Sequence, residues 1–415
     1  MTRRRLAFIG AVLVAAACVE RVAAPGRCPS FCPSGQITIV DTLLAGSISG
    51  DSAFRGYVLA YQSSVMLASD TPLVDGRPIF RINGLGARRV ITAGDTTTGA
   101  ILGADSARLQ ISITRRDSSM RNLSLRFYRL PITIDTSTRF ADLIGPFAAS
   151  PVHTLNVDAL LAQPGRKDSV TGDSVVADDT VSHQLVLSLK LDAAAARYLA
   201  ADSGTVAYGL RIAADSFASI AIGKGSLGPV LQWYLRVDSA GTSVARTPGS
   251  LGVAFASFVH DPPPAPPDST LAVGGVPSAR SILRVAFPRS LRDSTQIIRA
   301  TLFLLPAVPA RGAPADSFVV EVRSVLADFG AKSPIDPRLG DTTVIHVGAT
   351  DTLAVEVTNL LQLWAADSTL PTTLMLRARA EVQSFGEVRF YPSIAQAFRP
   401  ALEVTFVRPF PFGVP

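Results

Sequence analysis

The chain has 415 residues, 47% of them hydrophobic and 17% charged, and a net charge of +6. That composition excludes a disordered polyelectrolyte and leaves room for two domains with cores of their own. Lysine occurs only at Lys167, Lys190, Lys224 and Lys332, and no basic run follows Arg3-Arg4-Arg5, so nucleic-acid binding has no support.

The N-terminus reads as an export signal. Charged Arg3 to Arg5 precede an apolar run from Leu6 to Ala17, which is too short to span a bilayer comfortably but fits a signal-peptide core. Ala15, Ala16 and Ala17 lead directly into Cys18 and resemble a bacterial lipobox, with Cys18 as the lipidated residue. Residues 1–18 are therefore expected to be a signal peptide and 19–35 a tether. Val19 and Glu20 follow the cysteine with no aspartate beside it, which points to an outer-membrane or cell-surface lipoprotein held to the membrane by its lipid. Cys28 and Cys32 remain as an even pair and are expected to close a small disulfide loop in an oxidising compartment. A zinc site would need two further ligands, and none lies nearby in sequence.

Beyond residue 35, apolar and polar residues alternate with period two. Examples in chain order are SARLQISITRR, NLSLRFYRL, HQLVLSLKL, GPVLQWYLRV, RSILRVAF, IIRATLFLL, SFVVEVRSV, TTLMLRARA and PALEVTF. Such runs predict strands with one buried face. Asp-Ser and Asp-Thr pairs between them mark turns. Only 191–203 and 357–368 read as helical, and both end in Ala-Ala-Asp-Ser. That shared ending exposes a repeat. GRPIFRI at 76–82 parallels ARSILRV at 279–285, and the strands after each stay in the same order. The expected fold class is all-β: two tandem antiparallel jelly-roll-like β-sandwiches with few short helices. The expected domains are 36–240 and 245–410, with extra material in the first around 83–104 and 131–180. Trp233 and Trp364, flanked by leucines, are expected in the cores.

The second copy carries an ordered set of motifs. These are Ile282-Leu283-Arg284-Val285, Arg299 to Leu304, Glu356 to Trp364, Leu374 to Arg377, Phe390-Tyr391-Pro392-Ser393, and Arg399-Pro400 leading to Phe406. In this order, over about 250–408, they resemble the DNRLRE family of bacterial cell-surface domains. Gln396 or nothing replaces the family's acid in the closing loop. In the first copy, Leu199 stands for the Trp and Gly228-Pro229 for the Arg-Pro. The resemblance implies a jelly-roll-like sandwich similar to carbohydrate-binding modules.

Catalytic signatures are weak. Gly50-Asp51-Ser52 and Gly172-Asp173-Ser174 match the opening of a hydrolase motif, but its Asp-x-x-His partner is missing. Asp178-Asp179 is the only adjacent acid pair and reads as a solvated loop. No cofactor is expected. Structural calcium stays open, although the Asp-x-Asp-x-Asp spacing is absent. The expected function is an exported, lipid-anchored carbohydrate-binding or envelope-interaction module without catalysis. Its partners would be the membrane and a polysaccharide or extracellular matrix, with Arg377, Arg389, Tyr391 and Arg399 as ligand contacts. The alternative is a structural or adhesive surface protein with no small ligand. A carbohydrate-active enzyme is a distant third.

Overall fold

A computed structural model describes residues 39–408 apart from 45, 57–63, 71–73, 87, 94, 117–119, 180, 182–183, 193–201, 216–217, 240–242, 262–269, 277, 293–294, 313–316 and 382–384. The chain is all-β, with antiparallel sheets and a few short helices. Two hydrophobic cores divide the strands into a first and a second body.

In the second body a four-stranded sheet faces an eight-stranded one. The four strands run in the order Ile39–Leu44, Ala401–Val407, Gln296–Leu304 and Leu353–Glu356. Alternation decides what meets across the gap. Leu302, Leu304, Leu402 and Val404 point inward from this sheet and pack with Leu283, Val320, Val322, Leu374, Leu376 and Phe390 from the other. The helix Thr358–Ala366 closes one end, burying Leu360, Leu361 and Trp364. The Trp364 ring meets Phe287 edge-on, with centroids 6.0 Å apart.

The first body is one 13-stranded sheet folded over its core. The 22-residue strand Asp95–Arg116 makes the fold continuous, because it pairs at different points with Val230–Ser239, Gln184–Leu191 and Ser219–Gly223. Leu109, Ile111, Leu187, Leu189, Leu231 and Trp233 point inward against Phe80, Phe127, Tyr208 and Leu210. Trp233 and Trp364 are both fully buried, as expected.

Pairing around the two cores follows one scheme. In the second body, Ile39–Leu44 flanks Ala401–Val407, and Ile48–Arg55 flanks Ala279–Val285. In the first, Ser243–Gly252 flanks Val230–Ser239, and Phe255–His260 flanks Val74–Ile82. The next neighbours also correspond: Ala279–Val285 pairs with Thr373–Ala378, as Val74–Ile82 pairs with Val206–Ala213. Each two-strand unit therefore precedes one body in sequence and builds into the other. The expected division at 240–245 is crossed in both directions. Residues 39–55 complete the second body, and 243–260 complete the first. The physical reason is that edge strands accept any partner of matching register, and sequence proximity does not dictate the choice.

Part of the expected extra material, 131–180, forms short helices, Phe140–Leu143, Ile144–Ala148 and Val157–Ala162. Asn156 caps the last of these, its side-chain oxygen accepting from Ala159 N at 2.9 Å. Asp178-Asp179 ends the strand Ser174–Asp179 and so is not in a loop, and Asp178 pairs with Arg166 at 2.6 Å. Most of the expected helix 191–203 lies outside the described residues.

Candidate functional site: a basic groove on the first body

The strands Val230–Ser239, Asp95–Arg116 and Gln184–Leu191 lie side by side. Their inward residues are leucines and Trp233, so the alternate residues must face outward. Direct pairing sets these in rows. Tyr234 lies opposite Ser106. Gln232 lies opposite Arg108, and Arg108 opposite Lys190. Val230 lies opposite Gln110, and Gln110 opposite Ser188.

Over this face sits the segment 164–173, and between them is a groove of about 710 Å³. Its lining includes Ser106, Arg108, Lys167, Asp168, Lys190 and Tyr234. Three cations face one carboxylate.

The covering segment is fixed by its own hydrogen bonds. Asp168 accepts from Val170 N at 2.7 Å and Thr171 N at 3.2 Å. Those bonds, the Val170 one foremost, hold its pKa below the ordinary aspartate value, so it is ionised at neutral pH. Gly172 N returns to Asp168 O at 2.9 Å. Gly172 has φ of 79°, and a Cβ there would lie 2.8 Å from Lys190 Cδ. Glycine thus serves both the turn and the close passage of the Lys190 stem.

Asp173 nails the segment to the sheet. Its side chain is 1% exposed, accepts from Lys190 N at 2.8 Å, and meets His153 Nε2 at 2.9 Å. Arg108 is held as firmly. It donates to Ser188 Oγ at 3.1 Å and to Gly172 O at 3.3 Å. Lys167 and Lys190 are exposed, and Tyr234 is half-buried. The arrangement offers a pre-oriented guanidinium, two exposed ammonium groups, an aromatic ring and hydroxyl groups. It suits a polar, negatively charged ligand with apolar patches.

The contacts expected from sequence lie elsewhere, on the second body. Arg377 faces Glu321, with Nη2 at 2.8 Å, and Arg389 faces Glu387 at 2.6 Å. The two guanidiniums belong to two arginine–glutamate clusters on the outer face of the eight-stranded sheet, Arg389 with Glu387 and Arg55, and Arg377 with Glu321 and Glu381. The most buried pair is Arg280 and Glu381, 2.5 Å apart and 6% and 1% exposed. Burial raises the pKa of Glu387, but hydrogen bonds and charge from Arg55 and then Arg389 outweigh it and hold the group below the ordinary glutamate value. Tyr391 and Arg399 lie on the segment joining Glu387–Phe390 to Ala401–Val407. Tyr391 stacks on Phe398, with centroids 4.9 Å apart.

Cys18, Cys28 and Cys32 lie outside the described residues. Among the described residues there is no group of three or more His, Cys, Asp or Glu placed to hold a metal ion. No described helix is long and apolar enough to cross a membrane.

The groove had one signal in the sequence. Two of the chain's few lysines, Lys167 and Lys190, meet there. The chain matches no protein-family model, and no curated protein matches it.

Proposed function

We propose that the chain is an exported surface protein, lipid-anchored through Cys18, that binds an acidic polysaccharide without catalysis. The observation that carries this reading is the groove. Arg108 and Lys190 on the sheet face and Lys167 on the covering segment surround a single acid, Asp168. Low-dielectric walls lined by one sign of charge concentrate a counter-charged ligand. A carboxylated or sulfated sugar chain would set its anionic groups on Arg108 and Lys190. The Tyr234 ring would receive an apolar sugar face, and Gln232 and Ser106 would take hydroxyls. The resemblance of the second body to DNRLRE cell-surface domains supports a setting among envelope polymers.

Affinity electrophoresis through gels of neutral and acidic polysaccharides tests it. Retardation is expected from an acidic polymer alone. It should weaken with salt and vanish in Arg108→Glu/Lys190→Glu, while Arg377→Ala migrates like the wild type. Retardation that survives the double charge reversal would overturn the reading.

A structural or adhesive role is the second reading. The exchange of strand pairs between the two bodies favours it.

A further inference from the structure

The exchange has a consequence for assembly that does not depend on the groove. Ile39–Leu44 is registered against Ala401–Val407 through six residue pairs, from Ile39↔Val407 to Leu44↔Leu402. Ile48–Arg55 is registered against Ala279–Val285 through seven, from Ala279↔Arg55 to Val285↔Ile48. Polar clips add to the seam. Arg55 Nη1 meets Glu387 at 2.8 Å, Asp51 accepts from Ser393 N, and Asp41 accepts from Thr405 Oγ1. Ala286 N donates to Ser47 O at 2.6 Å, and Gly56 N to Ser278 O at 3.2 Å.

Every one of these contacts joins residues 39–56 to residues 278–407, so a unit from another copy would reproduce them unchanged. Val40, Leu44 and Ile48 also seal one edge of the second core. A second body that loses its unit bares Ala401–Val407 and Ala279–Val285 as open strand edges. The molecule already shows that such a unit need not pair with the body next to it in sequence. The Ile39–Arg55 unit serves the second body, and the Ser243–His260 unit serves the first.

We propose that the Ile39–Arg55 unit also exchanges between molecules, so that the partner this seam fits is a second copy of the same chain. One copy's unit then completes the second body of the next. The contacts are the same inside one chain or between two, so concentration decides the balance. Opening the seam requires withdrawing Val40, Leu44 and Ile48 from a core, so interconversion is slow.

The test uses the full chain carrying Leu43→Cys and Glu403→Cys, with Cys18→Ser, Cys28→Ser and Cys32→Ser. Leu43 and Glu403 are register partners and both are exposed, so the new pair leaves the core intact. The chain is cycled through partial denaturation at low and at high concentration, then oxidised, and its mass is read by non-reducing electrophoresis and light scattering. For a ten-fold higher concentration, the ratio of disulfide-linked dimer to monomer should rise about ten-fold. A sample oxidised first in dilute solution should stay monomeric through the same concentrated cycle. Linkage only within single chains at every concentration would overturn the proposal. So would multimers that form equally from the pre-oxidised sample, because they would not need the seam to open.

Discussion

The same row of the same sheet carries opposite charge in the two bodies. In the first body, Gln232, Arg108 and Lys190 lie side by side across three strands. In the second, the corresponding row is Glu403, Thr301 and Glu356. Behind both rows the inward residues are leucines and their like, so the cores demand the same alternation. The outward residues are less constrained, although Thr301 is itself buried, and the two rows have diverged. The first body adds the covering segment 164–173, which turns a flat row into a groove. In the second body, Arg299 meets Glu356 at 3.2 Å, and Thr405 donates to Asp41. One architecture thus supports a basic row under a covering segment and an acidic row that meets its own partners.

The largest expected effect tests whether the two cores are separate. Trp364→Ala should cost about 3–5 kcal/mol, since it empties a fully buried indole site. Calorimetry should show the loss in a transition that leaves the first body's transition in place. A single merged transition, shifted as a whole, would mean that the shared strand pairs couple the two cores.

Next comes the charged row. Arg108→Glu/Lys190→Glu should lower affinity for an acidic polysaccharide by about a hundred-fold, as charge-assisted contacts become repulsions. The reciprocal change sharpens the comparison. Placing Glu356→Lys and Glu403→Gln in the second body should give little retention, because every residue lining the groove belongs to the first body. Strong retention would show that the row alone suffices.

Gly172→Ala should weaken binding by a few-fold and cost about 1 kcal/mol, through a strained positive φ and displacement of the Lys190 stem. Titration calorimetry and a melting curve would measure both.

A smaller effect separates the bodies by pH. Glu387 has a folded pKa below its unfolded value, so its contribution is complete above the ordinary glutamate range. It is lost as pH falls through the folded value. Arg55→Met should remove the foremost favourable cause and raise that pKa, so that the second body loses stability at a higher pH than in the wild type. Acid unfolding followed at Trp364 would register the change.

Much of the fold was legible because burial writes itself into period two. GRPIFRI, SARLQISI and PALEVTF all became strands, and Trp233 and Trp364 lie where their leucine neighbours put them. Strand partners were not legible. Alternation says which side of a strand is buried, but not which strand lies beside it. The Ile39–Arg55 unit therefore looked like the start of the body that follows it. The groove was hidden for the same reason. Arg108, Lys167, Lys190 and Tyr234 come from separate segments, and only pairing unites them. Arg377 and Arg389 looked available because the sequence around them gives no sign that Glu321 and Glu387 would lie against them.

The strand exchange also sets how tension would travel through the molecule. Suppose the chain is pulled ahead of Ile39 while a ligand holds the groove. The covalent line from Ile39 to the groove passes through Arg55 and on to the strand Ser64–Asp70 of the first body. The second body is not a link in that line. It clasps the line from the side, through the seams at Ala401–Val407 and Ala279–Val285. A pull there loads the pairing of Ile39–Arg55 with the second body before it reaches the first body's sheet. The second body therefore bears on such a pull from the side without being a covalent link in it.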